Sequence, residues 1–156
     1  MGLDLSLNAT GVAIIDNTGR LLYWTTVEPP DVLNTLGRIR MTCGYIETIC
    51  KVFGVKVAAI EDYAYSLFGR GHSTSALVEN AGAIKQVLIS HDVDINVYSI
   101  TAIKAFATDY GKASKGDMLT AFKQINSSRK GVTEHVVDAT WVAMLHLSQV
   151  RDDQAA

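Results

Sequence analysis

The chain has 156 residues, 48% of them hydrophobic and 19% charged, with a formal net charge of −2. That is enough apolar material for one sizeable core, and the expectation is a single domain over residues 1–156. Two prolines and no low-complexity tract exclude an extended disordered protein, and no apolar run reaches the length of about 18 residues that a membrane-spanning helix needs.

The first 28 residues read as an antiparallel meander of three strands. "LDLSLN" alternates apolar and polar residues, "ATG" and "NTG" punctuate, and "VAIID" and "RLLYWTTVE" supply the second and third strands. Pro29 and Pro30 end the meander, and Asp31 is the expected N-cap of a helix running to about Phe53. Val32, Leu36, Ile39, Cys43, Ile46 and Ile49/Cys50 form its apolar face. "VKVAAIED" is a buried strand with Glu61 at its C-terminal end. A loop, "YAYSLFGRGHSTS", leads to a helix at about Ser75–Ser90, and "DINVYSI" is a fifth strand. Helices follow at about Thr101–Asp109 and Lys115–Asn126, and Thr133 caps a final helix. The order β-β-β-α-β-α-β-α-α-α predicts an α/β domain. Its sheet is mixed and five-stranded, three antiparallel strands and then two parallel ones, with helices on both faces.

Cys43 and Cys50 share a helix face but lie about 10 Å apart at a rise of about 1.5 Å per residue, too far for a disulfide. Reduced cysteines point to a cytoplasmic protein. The charges are unevenly spread. Residues 101–131 carry Lys104, Lys112, Lys115, Lys123, Arg129 and Lys130 against Asp109 and Asp117, a net of +4, which leaves −6 for the remainder. A basic face beside an acidic site is one reading; a solvated helix face is the other.

Three acids stand against the apolar pattern. Asp4 lies between Leu3 and Leu5 in the first strand, Glu61 follows "VAAI", and Asp138 sits beside Val137 and Ala139 on the final helix. An unpaired buried carboxylate is costly, so such acids are usually paired or hold a metal. The strand order makes the first and fourth strands neighbours, with the last helix crossing over them. Acids converging in this way suit a hard cation, Mg²⁺ or Mn²⁺. His135 lies one turn before Asp138.

"GLDLSLNATGVAII", "VAAIEDYAYS" and "HVVDATWVAMLH" together resemble the RuvC-type Holliday-junction resolvases of the RNase H-like nuclease superfamily. The resemblance is to a compact, phage-like member that would act in a host cytoplasm. It spans nearly the whole chain and implies the RNase H-like fold. By that resemblance Asp4, Glu61 and Asp138 match the catalytic acids, and "ITAIKAFATDYGKASKGDML" matches the stretch with the family's lysines at Lys104 and Lys115. His135 stands where many members carry aspartate, a position that can still be a ligand. Ala64 stands where a phenylalanine is common, with Tyr63, Tyr65 and Phe68 close by. The implied activity is two-metal phosphodiester hydrolysis of four-way junctions with Mg²⁺ or Mn²⁺, leaving 5′-phosphates. The implied ligands are Asp4, Glu61, His135 and Asp138.

Lys115 is the better candidate for offsetting charge at the phosphate. Ser114 and Asp117 have capping-box spacing, so Lys115 should open a helix there; Lys104 is second. Tyr63, Tyr65, Phe68 and Arg70 are candidates to stack on exposed bases or reach phosphate. Lys112, Lys123, Arg129 and Lys130 are candidate backbone contacts, or only solvated charges. His72, His91 and His146 read as structural or surface. Ala76, Ala81, Gly82 and Ala83 permit close helix packing, and the resemblance implies a homodimer through the helix at about 75–90. The helix N-terminus should keep His135 neutral, the form that binds metal, and imidazole favours Mn²⁺ over Mg²⁺. Three other readings compete: a nuclease for RNA–DNA hybrids or flaps, a non-catalytic branched-DNA-binding module, and a fragment of an actin-like ATPase.

Overall fold

The computed structural model describes residues 1–62, 73–126 and 130–155. Its elements are β1 (Gly2–Asp4), β2 (Thr10–Ile15), β3 (Leu21–Val27), α1 (Thr35–Phe53), β4 (Val57–Glu61), α2 (Ser73–Ser90), β5 (Asp94–Tyr98), α3 (Ile100–Thr108), α4 (Lys115–Ile125) and α5 (Glu134–Ala155). The strands lie in the order β3-β2-β1-β4-β5. The β1–β2 and β2–β3 pairs are antiparallel, and β1–β4 and β4–β5 are parallel. The mixed sheet, its strand count and the β1–β4 adjacency therefore follow the sequence-based expectation.

Strand alternation sorts the residues onto two faces. Leu3, Leu5, Val12, Ala58 and Ile60 point to one side, where they pack with Ile46, Ile49, Ile84 and Leu88 of α1 and α2. Ala13, Leu21 and Ala59 point to the other and pack with Val137, Trp141 and Val142 of α5, Ile103 of α3, and Met118 and Phe122 of α4. Asp4, two residues from Gly2, faces the α5 side, as does Glu61, two residues from Ala59.

Helix α5 is a central element. Eight residues from Val136 to Leu145 are buried, because the sheet covers one side and α3 and α4 cover the other. The Trp141 indole donates to the Met118 carbonyl at 3.3 Å and meets Phe106 edge-on. Two glycines let this helix reach the sheet. A Cβ on Gly2 would lie 1.8 Å from the Ala139 carbonyl oxygen, and one on Gly11 would lie 2.1 Å from that of His135. Gly2 pairs with Ala13 and Ala59, and Gly11 pairs with Asp4 and Thr26, so the helix rests on a platform of small residues.

One helix boundary differs from the sequence reading. The N-cap of α1 is Asn34, whose side chain accepts from the Gly37 amide at 2.8 Å. Asp31 instead pairs with Arg38 at 2.9 Å. Val32 and Leu36, assigned to the apolar face, are 89% and 71% exposed, because the helix starts too late for Val32 and presents Leu36 outward. The Ser114–Asp117 capping box is present, and the Thr133 hydroxyl accepts from the Val136 amide at 3.2 Å. Cys43 and Cys50 are both free, and no helix among the described residues is long and apolar enough to cross a membrane.

Candidate active site

Asp4 ends β1, and Glu61 ends the parallel neighbour β4. Their register, Gly2 beside Ala59 and Leu3 beside Ile60, carries the two acids forward side by side at the C-terminal edge. The first two turns of α5 cross above them. The Thr133 hydroxyl, at the helix entry, bonds that of Thr26 on β3 at 2.6 Å. The His135 backbone lies against Gly11 of β2. The His135 ring donates from Nδ1 to Asp4 Oδ2 on β1 at 2.7 Å. Asp138 follows one turn later. The helix is thus laid across three strands in sequence, and the glycine platform sets its height.

The electrostatics bind Glu61, Asp4 and Asp138 into one group. Burial pushes the Glu61 carboxyl up to about 8, helped by the charges of Asp4 and Asp138 and opposed by Lys104 and Lys115. Burial, and then the Asp4 charge, pushes Asp138 up to about 6, opposed by Lys115 and His135. His135 is raised, first by its hydrogen bond to Asp4. The helix N-terminus is expected to disfavour the imidazolium; the Asp4 carboxylate in contact acts in the opposite direction.

Lys115 opens α4 as expected, but its direct partner is a carboxylate missed in the sequence. It bonds Glu134 at 2.8 Å, which raises the lysine and lowers the acid. A signal existed: Glu134 is the acid in the first turn of α5 and lies four residues before Asp138. A cavity of about 190 Å³ opens here, lined by Lys115, Glu134, Val137 and Asp138 among others. A larger one, about 600 Å³, lies away from the acids, along Ile14, Val57 and the His146 end of α5. Lys104 is half-buried on α3, and its charge reaches Glu61. Lys112, Lys123 and Lys130 are exposed. Tyr63, Tyr65, Phe68, Arg70, His72 and Arg129 lie outside the described residues. His91 stands 3.6 Å from Glu47, and His146 meets the Tyr98 hydroxyl at 2.7 Å, in keeping with structural roles.

The donor chemistry suits a hard divalent cation. Burial, and then the charges of neighbouring acids, pushes both the Glu61 and the Asp138 carboxyl up, and a bound cation would oppose both shifts. Among the described residues, however, no three acid, imidazole or thiol side chains stand as a ready ligand set. The expected convergence is one of fields more than of contacts, with Asp4 and His135 alone touching.

This arrangement has a measurable consequence for stability. Glu61 and Asp138 bind protons more tightly folded, at about 8 and 6, than their ordinary values of 4.5 and 3.8. His135 is shifted in the same direction. For raised groups, stability is fullest below the unfolded values and is lost as pH rises through the folded ones. The melting temperature in chelator should fall steadily from about pH 5 to pH 9, and saturating Mg²⁺ or Mn²⁺ should flatten that slope. A melting temperature that stays level across this range would contradict the assignment.

The chain is similar to known proteins over most of its length. The family profile described as Crossover junction endodeoxyribonuclease RuvC matches residues 1–146. Proteins of that name from Wolbachia pipientis subsp. Culex pipiens and Neisseria meningitidis serogroup C are 26% and 24% identical. Both matches cover 94% of this chain, with 90% and 83% of those proteins. The Thermus thermophilus RuvC structure superposes with a TM-score of 0.80 at 18% identity, covering 97% of this chain and 95% of that one. The same protein in complex with Holliday junction substrate gives 0.83 at 16% identity, covering 97% of this chain and 93% of that one. The yeast mitochondrial Holliday junction resolvase Ydc2 gives 0.61 at 13% identity, covering 97% of this chain and 79% of that one. With a five-stranded mixed sheet of the same fold and a profile match that includes Asp4, Glu61 and Asp138, the chain belongs to the RuvC family of crossover junction endodeoxyribonucleases.

Proposed function

We propose that this protein is a divalent-metal-dependent endonuclease that resolves four-way DNA junctions at the Asp4–Glu61–His135–Asp138 site. The observation that carries the reading is the group of half-buried acids on two adjacent strand ends and one crossing helix, set against pKa shifts that a cation would reverse. Asp4, Glu61, Asp138 and His135 would hold two divalent ions, Mg²⁺ or Mn²⁺. Such ions supply Lewis-acid polarisation of the phosphate and a lowered pKa for water.

The chain's own residues do the rest. The charge of Asp4 acts on both other acids, and Asp4 would serve both ions. Glu61 and Asp138 would each complete one side. Lys115, free to exchange Glu134 for a phosphate oxygen, would offset charge developing at the phosphorus, with Lys104 behind it. Lys112, Lys123, Arg129 and Lys130 would follow the DNA backbone without reading sequence. Tyr63, Tyr65, Phe68 and Arg70 would meet bases and phosphates at the junction centre. Pairing through α2 matches the two-fold symmetry of the substrate. Val78, Gly82 and Ile89 share an outward face of that helix, and both apolar residues are exposed, whereas Ala81 is taken up by the core. Sedimentation tests this: a monomer at micromolar concentration, with and without junction, would remove the dimer.

The deciding experiment is a substrate panel of four-way junction, flap, RNA–DNA hybrid and plain duplex, each with Mg²⁺ and Mn²⁺. The expected result is cleavage of the junction with 5′-phosphate ends and faster turnover in Mn²⁺, because His135 supplies a nitrogen ligand. His135→Asp should move the preference toward Mg²⁺. Cleavage of the hybrid in preference to the junction would favour the broader RNase H-like nuclease, and no cleavage at all would favour a binding module.

A further inference from the structure

We propose that Asn80, on the opposite side of the sheet from α5, is a positioning residue that fixes the chain directly behind Asp4. The inference rests on the reading of Asp4 as a catalytic residue. The segment Leu5–Thr10 leaves Asp4 and turns back into β2. Its Ser6 carbonyl has two lone pairs, and both are filled by buried side chains: the Thr10 hydroxyl at 2.6 Å and the Asn80 amide nitrogen at 3.2 Å. Thr10 and Asn80 are each 0% exposed. From α1, Arg38 reaches the same turn at Asn8, 3.0 Å away.

Asn80 is chemically expensive where it stands. Among the described residues its Oδ1 is buried with no hydrogen-bond partner. Turning the amide over would set that oxygen against the Ser6 carbonyl, so the observed orientation is the one the turn selects. A leucine of similar shape would fill the space without an orphaned acceptor and would pack with Ala81 and Ile84 of the same helix. A residue kept only for stability would not be a half-satisfied amide. Among the described residues its side chain donates to the carbonyl two residues beyond Asp4, and the carboxylate's position depends on that turn. The same helix carries the outward face proposed for pairing. Asn80 therefore gives α2 a direct hold on the catalytic strand.

The test is Asn80→Leu, with two readouts on the intact protein. Amide hydrogen exchange over Leu5–Thr10, measured without DNA or metal, should speed up about tenfold while the melting temperature stays level or rises. On the junction, kcat should fall about ten- to a hundredfold with KM unchanged, the split expected when the position of a reacting group is disturbed and binding is not. Unchanged exchange in the turn, or unchanged kcat, would overturn the proposal. So would a fall in kcat that merely tracks a lower melting temperature. If Asn80→Leu does not fold, Thr10→Val and Thr10→Ser interrogate the same carbonyl: serine should keep both wild-type values and valine should lose them, and equal behaviour of the two would overturn it. If the wild-type protein cuts no substrate, the functional reading fails, and the exchange measurement still decides whether Asn80 holds the turn.

Discussion

Asp4→Asn should lower junction cleavage by about a thousandfold or more while leaving junction binding intact. Asparagine keeps the size of the side chain and can still accept from His135, so the local shape survives. What is lost is the charge felt by both other acids. Asp4 raises Glu61 and Asp138 alike, and His135 is raised chiefly by its hydrogen bond to Asp4. Without it, both acids should ionise at lower pH and His135 should lose its proton more readily. The variant should therefore be inactive yet more stable than wild type above about pH 7 in chelator, by on the order of 1 kcal/mol. Binding assays on the uncleaved junction, cleavage time courses and a pH series of melting curves check all three parts. Cleavage within tenfold of wild type would remove Asp4 from the site.

Gly11→Val should be as damaging through geometry alone. A Cβ at this position would sit 2.1 Å from the His135 carbonyl oxygen and 2.4 Å from its carbon, both backbone atoms. A flexible side chain could move aside; helix backbone cannot without lifting α5 from β2. The lift would carry His135 and Asp138 away from Asp4 and expose the packing around Val137 and Trp141. The expected cost is about 3 kcal/mol or more, with cleavage reduced to background at any temperature. Gly2→Ala, at 1.8 Å from the Ala139 carbonyl oxygen, should do the same from β1. Gly44, in the middle of α1, is the control: apart from the helix's own backbone, nothing among the described residues lies within 4 Å of its missing Cβ. Gly44→Ala should raise stability by about 0.5–1 kcal/mol with activity unchanged. Thermal melts and cleavage rates of the variants decide it, and wild-type activity in Gly11→Val would refute the platform.

The order and type of the elements were legible because each is short-range. Alternation marks β1 to β3, an apolar run between glycine and an acid marks β4, and the Ser114–Asp117 spacing marks the start of α4. The adjacency of Asp4 and Glu61 followed from strand order. Asp31 misled because it fits an N-cap as well as Asn34 does, and only the hydrogen bond to Gly37 separates them. Gly11 read as a turn glycine and Gly2 carried no signal, since the helix that needs them is more than 120 residues away in the chain. The same distance hid the Asp4–His135 contact that pushes the His135 imidazole up. Glu134 was overshadowed by the histidine beside it, and Asn80 looked like one more polar position on a helix.

The pairing of Asp4 with His135 joins residues 131 positions apart, so the candidate site is assembled by contacts of long sequence separation. A chain stopped anywhere before α5 would present Asp4 and Glu61 with no partner across the edge, and it would leave Gly2 and Gly11 under nothing. Contacts of such long sequence separation form late and slowly. The candidate site residues are therefore brought together only when α5 docks on the sheet.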